Sequence, residues 1–208
     1  MCNILNNSLL FYYDNTCIYS KKLLQKLKEI NKKSNNKIYL EAIKKAITFI
    51  RRYHAGQMRK SGEPFYSHPL EVASFVSYYS FSTEVIITGI LHDVVEDTKI
   101  SSTSIKFIFG KNVSKVVSML TDLDEKLNRT FKPGKDVLLY KKIKTFNKDA
   151  SLIKVCDRLH NMRTLGSMKI EKQKKKALET LQTYVLMANN IGLPDLASEL
   201  ETLSKKRL

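Results

Sequence analysis

Apolar residues recur along this chain at the three- and four-residue spacing of an amphipathic helix. The clearest stretch runs from 38 to about 53, with apolar residues at Ile38, Ala42, Ile43, Ala46, Ile47, Phe49 and Ile50. The 208 residues include only 7 glycines and 4 prolines, and no sequence repeat is visible. Because a sandwich or barrel of short strands needs many turn residues, this pattern predicts an all-α protein with short connections.

The same spacing predicts where the other helices lie. They are expected at about 21–30, 70–80, 83–95, 105–109, 113–122, 136–146, 150–167, 171–191 and 196–206. Glycine and proline mark 55–69 as a loop, and the polar stretch 125–135 is predicted to be a mobile loop. We predict a leader and packing helix at 1–37, a main domain at 38–195 and a C-terminal helix end at 196–208.

The charge balance favours anionic partners. The chain has 36 Lys and Arg against 20 Asp and Glu, a formal net charge of +16. That field suits nucleotides, nucleic acid or an acidic membrane surface and does not choose among them. Lysine runs such as 174–176 are more simply interpreted as a solvated helical face, so no specific nucleic-acid binding is expected.

Cysteine usage and hydropathy bear on the compartment. The 3 cysteines lack C-x-x-C spacing, so neither a disulfide framework nor a cysteine zinc site is indicated, and a cytoplasmic location fits. Residues 1–20 lack the basic start and long apolar run of a signal peptide. No stretch approaches the roughly 20 apolar residues that cross a bilayer, so no membrane association is expected.

The strongest chemical signal is a group of four ionisable residues that follows the apolar run 85–91. His92 and Asp93 are adjacent, and Glu96 and Asp97 each follow one of them by four residues, so each shares a helical face with its partner. Burying such groups is costly unless an ion or a substrate compensates them. The segment therefore indicates a site more strongly than a solvated helix end.

Two further candidate ligands lie far away in the sequence. His68 precedes Pro69 at a predicted loop-to-helix junction, and Asp157 belongs to a later amphipathic helix. With His92 and Asp93 they could hold a divalent ion such as Mn²⁺, Fe²⁺ or Zn²⁺, leaving positions for water and a phosphate oxygen. The other two histidines, His54 and His160, are expected to be ordinary surface or core residues.

Three segments resemble the hydrolase signatures of the RelA/SpoT family. They are YHAGQMRKSGEPFYSHPLEVA at 53–73, GILHDVVEDT at 89–98 and KVCDRLHNMRTL at 154–165, and 171–193 is similar to the helix that follows. The resemblance covers most of 38–195. It implies an HD-type metal-dependent phosphohydrolase domain that hydrolyses the 3′-pyrophosphate of ppGpp or pppGpp, giving GDP or GTP and pyrophosphate, in stringent-response alarmone turnover.

The resemblance also implies roles for single residues. One Mn²⁺ would be bound by His68, His92, Asp93 and Asp157, while Glu96 and Asp97 would orient and deprotonate the attacking water. The guanosine polyphosphate would contact Arg59, Lys60, Ser61, Gly62, Phe65, Lys154, Asn161 and Arg163. Lys154, Asp157 and Asn161 are also spaced to share one helical face. Arg158 is more simply interpreted as a structural ion-pair partner.

Departures from the family pattern leave alternatives open. Phe65 stands where the family usually has Tyr, so a hydroxyl hydrogen bond is lost there, and a same-fold phosphatase acting on another nucleotide such as NADPH is an alternative. A catalytically inactive alarmone-binding module is another, although all six metal and catalytic positions carry competent residues. No synthetase motif follows, and Met1 and the basic end at Leu208 favour a natural stand-alone hydrolase.

Overall fold

A computed structural model describes residues 17–130 and 147–208, with side chains described for all of these except 123–130. In chain order the α-helices are α1 Ile18–Lys33, α2 Leu40–Tyr53, α3 Ser67–Val76, α4 Thr83–Leu91, α5 Val94–Asp97, α6 Ser102–Phe109, α7 Lys111–Thr130, α8 Lys148–Arg163, α9 Ile170–Glu179, α10 Val185–Asn190 and α11 Pro194–Lys205. A 3₁₀ turn, Leu165–Ser167, follows α8, and a π-helical turn, Thr180–Tyr184, joins α9 to α10. The described ranges contain no β-strand, so the all-α prediction is confirmed.

Several predicted boundaries differ from the observed ones. Residues 125–130, predicted to be a loop, continue α7, because the helix-breaking residues Pro133 and Gly134 come only later in the sequence. The predicted helix 83–95 divides in two at residues 92–93, where Asp93 has φ −101° and ψ −3°, away from ideal α-helical values. α3 begins earlier than predicted, at Ser67. The helix predicted at 136–146 lies outside the described residues.

The core lies where α2, α3, α4 and α8 pack together, with α7 against α4 and α11 against α8. Fully buried side chains from these helices include Phe49, Leu70, Ile86 and Ile153. α1 covers α2 and α3 through the buried residues Leu23, Leu24 and Leu27. This packing fixes α3, α4 and α8 against one another, and the candidate site lies on these three helices and on α5.

Polar contacts also tie α1 to α3. The Lys26 Nζ lies 3.0 Å from the centre of the Tyr78 ring and donates hydrogen bonds to the carbonyl and hydroxyl oxygens of Ser74, near the C-terminus of α3. Lysine at this end of a helix interacts favourably with the helix dipole. In the part of the chain that the structure describes, no helix is long and apolar enough to cross a membrane.

Gly89 lies where α4 packs against α3. A Cβ atom built on Gly89 would lie 3.4 Å from the Cα of Ala73 and 3.5 Å from a methyl group of Val76. Because these are ordinary contacts, Gly89→Ala should cost no stability and can gain up to about 1 kcal/mol from helix propensity. Gly89→Leu keeps good propensity but overpacks this interface, and should lose about 1–3 kcal/mol. Urea unfolding of both variants tests this expectation, which fails if the two are equally stable.

Candidate active site

The first part of the site forms at the end of α4. The His92 side chain is fully buried, and its Nδ1–H donates a hydrogen bond to the carbonyl oxygen of Gly89 at 2.9 Å. Because a carbonyl oxygen can only accept, the proton of the neutral ring is on Nδ1 and Nε2 carries a lone pair. That Nε2 is buried and lies 2.9 Å from the Asp93 Oδ2, with which it pairs when the ring is protonated. An imidazole fixed through Nδ1 with a free Nε2 is typical of a metal ligand.

Two further helices bring the remaining candidate ligands to the same point. His68, in the first turn of α3, places its Nε2 3.1 Å from the Asp157 Oδ1 and 3.6 Å from the Asp93 Oδ2. The His92 Nε2 lies 3.8 Å from the Asp157 Oδ1. Donor atoms of His68, His92 and Asp157 all lie within 4.8 Å of one another. The structure thus brings together four residues that are distant in the sequence, apart from the adjacent pair His92 and Asp93.

Residues of α8 hold two of these side chains. Asp157 accepts hydrogen bonds from the Lys154 Nζ at 3.3 Å and the Asn161 Nδ2 at 2.7 Å, as the shared helical face indicates. The Nδ1 of His160 lies 2.8 Å from the Nδ1 of His68. His160 is therefore a buried core residue, as expected, but it also contacts a candidate ligand, and only its position three residues after Asp157 gives any hint of this in the sequence.

Electrostatics show that the cluster favours positive charge. Burial alone would lower the pKa of His92, but the carboxylates of Asp93 and Asp157 raise it to about 10. Burial alone would raise the pKa of both carboxyl groups, yet His92 lowers the pKa of Asp93, and Lys154 lowers that of Asp157. Paired carboxylates that retain a proton on a buried imidazole would also attract a metal cation. The mixed nitrogen and oxygen donors therefore fit a divalent ion.

The cluster lies beside a cavity of about 510 Å³, a size that accommodates a small-molecule ligand. Among the residues that line it, the predicted substrate contacts are Arg59, Lys60, Ser61, Phe65, Lys154 and Asn161. Glu96 and Asp97, on the short helix α5, also line it. Burial, and then the neighbouring carboxylate of Asp93, raise the pKa of Asp97.

Two predicted substrate contacts, Gly62 and Arg163, do not line this cavity. Gly62 adopts φ 88° and its N–H donates to the carbonyl oxygen of Arg59 at 3.0 Å, so it closes the turn of the loop 59–62, called the cationic loop below because it contains Arg59 and Lys60. Arg163 forms an ion pair with Glu199 at 2.6 Å and lies over the ring of Phe75.

Other cavity residues were not predicted as substrate contacts. The guanidinium of Arg158 pairs with Glu179 at 3.1 Å and lies 4.0 Å from the centre of the Tyr184 ring, so the predicted structural ion pair is observed. Lys176 also lines the cavity, and burial, followed by the charge of Arg158, lowers its pKa. Glu179 and Tyr184 reach the cavity beside the π-helical turn, a feature that helical spacing cannot reveal and that is frequent at functional sites.

The histidine that precedes the cationic loop is also buried. His54 stacks on Phe65 with ring centres 4.6 Å apart, and its Nδ1 lies 2.6 Å from the Gln57 Oε1. It is thus a core residue, as expected, and not part of the ligand cluster. Its packing fixes the aromatic ring that forms one wall of the cavity.

This fold and site define a helical domain with a candidate divalent-metal centre beside a cavity lined by both basic and acidic side chains. The family model described as HD domain matches residues 46–193, and the chain belongs to the HD-domain family. A solved structure, described as a metazoan ortholog of SpoT that hydrolyzes ppGpp, is similar with a TM-score of 0.63 at 22% identity, covering 80% of this chain and 95% of that one. At that identity the similarity supports the fold.

Curated relatives confirm the predicted relationship to the RelA/SpoT hydrolase region. A guanosine-3′,5′-bis(diphosphate) 3′-pyrophosphohydrolase of Haemophilus influenzae is 39% identical over 153 residues, 73% of this chain and 23% of the relative. The bifunctional (p)ppGpp synthase/hydrolase SpoT of Escherichia coli is 35% identical over 171 residues, 81% of this chain and 24% of the relative. The chain thus spans about a quarter of the length of these proteins.

Proposed function

We propose that this chain hydrolyses the 3′-pyrophosphate of ppGpp or pppGpp and that Mn²⁺ is the metal it uses. The proposal rests on one observation. The ligand cluster, the carboxylates of α5 and the cationic loop all lie at the same cavity. The names of the curated relatives supply the substrate class. The proposed location is the reducing cytoplasm, in agreement with the free, buried thiols of Cys17 and Cys156.

His68, His92, Asp93 and Asp157 would hold the metal. When bound, a divalent ion makes water a stronger nucleophile at neutral pH and polarises a phosphoryl oxygen. Two imidazoles and two carboxylates form a donor set of intermediate hardness, which can bind Mn²⁺, whereas a cysteine-rich site would favour a softer ion.

Glu96 and Asp97 would handle the proton. Their carboxylates line the cavity one turn beyond the His92–Asp93 pair, where they can orient the attacking water and accept its proton. The raised pKa of Asp97 makes it a better base than an ordinary carboxylate. The water oxygen forms a bond to the phosphorus on the ribose 3′-oxygen, the bond between that phosphorus and the 3′-oxygen breaks, and the 3′-oxygen takes up a proton.

The cationic loop would bind the phosphates. Arg59 and Lys60 neutralise negative charge at the cavity wall, and Ser61 offers a hydroxyl beside them. Phe65 would contact the base or ribose with its ring, which His54 supports from behind. Lys154 and Asn161 are held at the cavity by Asp157. The predicted contact of Arg163 would require this residue to leave Glu199.

Product analysis tests the proposal. The protein is incubated with ppGpp and Mn²⁺, with and without a chelator, and the nucleotides are separated. GDP and pyrophosphate should form only without the chelator. NADPH is offered in parallel, because Phe65 leaves the base pocket without the family hydroxyl. Preferential release of phosphate from NADPH would replace the proposed substrate, and stoichiometric ppGpp binding without products would indicate an inactive module.

Removal of one loop cation should weaken substrate binding more than it slows the chemistry. Because a charge-assisted hydrogen bond contributes about 1.5–3 kcal/mol, Arg59→Ala or Lys60→Ala should raise KM by roughly 10- to 100-fold. Steady-state kinetics on ppGpp measures this change. Lys172→Ala, on the exposed face of α9 and outside the cavity, is the matched control and should keep the wild-type KM. An unchanged KM in both loop variants would exclude the loop from substrate binding.

A further inference from the structure

His68 and His160 share one hydrogen bond, and its direction can be deduced. The two Nδ1 atoms lie 2.8 Å apart, and both rings are buried. Two lone pairs or two N–H groups facing each other at this distance would repel, so one ring donates and the other accepts. A metal on the His68 Nε2 requires the proton of His68 to be on Nδ1. The His160 Nδ1 must then accept, and the proton of His160 is on Nε2.

We infer that His160 is a positioning residue that fixes the tautomer and the ring orientation of His68, so that the His68 Nε2 faces Asp93 and Asp157. This inference rests on the proposed metal site. His160 is 8% exposed and does not line the cavity, so it is not placed to contact the substrate. His160 would therefore influence the metal site only through its hydrogen bond with His68.

The packing between α3 and α8 explains why His160 can perform this role. α3 carries His68 and Phe75, and α8 carries Asp157 and His160. The His160 ring lies 4.8 Å from the His68 ring and 6.2 Å from the Phe75 ring, centre to centre, so it packs against two side chains of α3. One face of α8 thus supplies both a candidate ligand and the residue that orients a second ligand on the neighbouring helix.

His92 offers an internal comparison. Its Nδ1–H donates to the backbone carbonyl of Gly89, so both candidate imidazole ligands are held through Nδ1 and present Nε2 to the same cluster. The carbonyl oxygen of Gly89 belongs to the backbone, so no amino-acid substitution removes it. The acceptor for His68 belongs to a side chain, and this makes the role testable.

Three substitutions separate hydrogen bonding from packing. His160→Asn places an amide oxygen as many bonds from Cβ as the Nδ1 of histidine, and should preserve the acceptor. His160→Gln has the same amide one carbon further out, and His160→Phe keeps a ring without an acceptor. Since loss of such a partner weakens metal affinity by about 10- to 100-fold, the Gln and Phe variants should show that loss and the Asn variant should stay near wild type.

The measurement is binding of Mn²⁺ alone, followed by electron paramagnetic resonance, with circular dichroism of the metal-free proteins as a check on folding. Nitrogen NMR of the Zn²⁺-loaded wild type should show His160 with its proton on Nε2. Equal Mn²⁺ affinity in all variants, or equal weakening in Asn and Gln, would overturn the role of His160. If His160→Phe fails to fold, the difference in Mn²⁺ affinity between His160→Asn and His160→Gln still tests the role of His160. Wild-type protein that binds no Mn²⁺ would overturn the metal site as well.

Discussion

Glu96→Gln should lower kcat for ppGpp hydrolysis by roughly 10²- to 10⁴-fold, which is the usual contribution of a general base. Its Mn²⁺ affinity should stay within a few-fold of wild type. The physical reason is position: Glu96 lines the cavity from α5, whereas the donor atoms that converge belong to His68 on α3, His92 just after α4 and Asp157 on α8. Gln keeps the size and polarity of the side chain and removes the ability to accept a proton. Asp97→Asn should behave in the same way.

The comparison needs turnover and metal binding measured on the same preparations. Glu41→Gln is the matched control, because this exposed glutamate in the first turn of α2 lies outside the cavity and should leave both quantities unchanged. If Glu96→Gln lost Mn²⁺ binding, Glu96 would contribute to the metal site and its assignment as a base alone would be wrong. If it kept wild-type turnover, Glu96 would have no part in the chemistry.

Asp157→Asn should abolish both Mn²⁺ binding and turnover. The carboxylate lies 3.1 Å from the His68 Nε2 and accepts hydrogen bonds from Lys154 and Asn161, so it holds the cluster together and supplies negative charge to a cation. An amide has nearly the same shape but no charge, and its nitrogen cannot act as a ligand. We expect Mn²⁺ affinity to fall by more than about 100-fold, beyond the upper range for residues that only orient a ligand.

Isothermal titration with Mn²⁺ measures this loss, and circular dichroism confirms that the helices remain. Asp195→Asn removes an exposed aspartate in the first turn of α11 and provides the control for charge alone. An Asp157→Asn protein with wild-type Mn²⁺ affinity would exclude this residue as a ligand, whatever its effect on turnover.

The parts of this fold that the sequence predicts well depend on local spacing. α2 is buried through Ile43, Ala46, Ile47 and Ile50, the residues whose spacing predicts the helix. α6 is bounded by local signals, since the Ser101 hydroxyl accepts the N–H of Ser104 at 3.2 Å and the helix ends before Gly110. In such segments the same few residues determine both the pattern and the structure.

The parts that were missed depend on contacts between distant residues. His68 and His160 are 92 residues apart, and no local pattern shows that their rings meet. The break at Asp93 and the π-helical turn Thr180–Tyr184 interrupt helices whose apolar spacing continues through them. Arg163 matches a motif position, yet pairs with Glu199 on α11, a helix outside the motifs. Tertiary packing decides each of these features.

The central claim is that side chains from three parts of the chain bind one divalent ion, and anomalous X-ray diffraction from crystals grown with Mn²⁺ tests it most directly. We predict a single strong anomalous peak within coordination distance of His68 Nε2, His92 Nε2 and carboxylate oxygens of Asp93 and Asp157. A map with no peak among these four side chains, at an Mn²⁺ concentration that supports turnover, would contradict it.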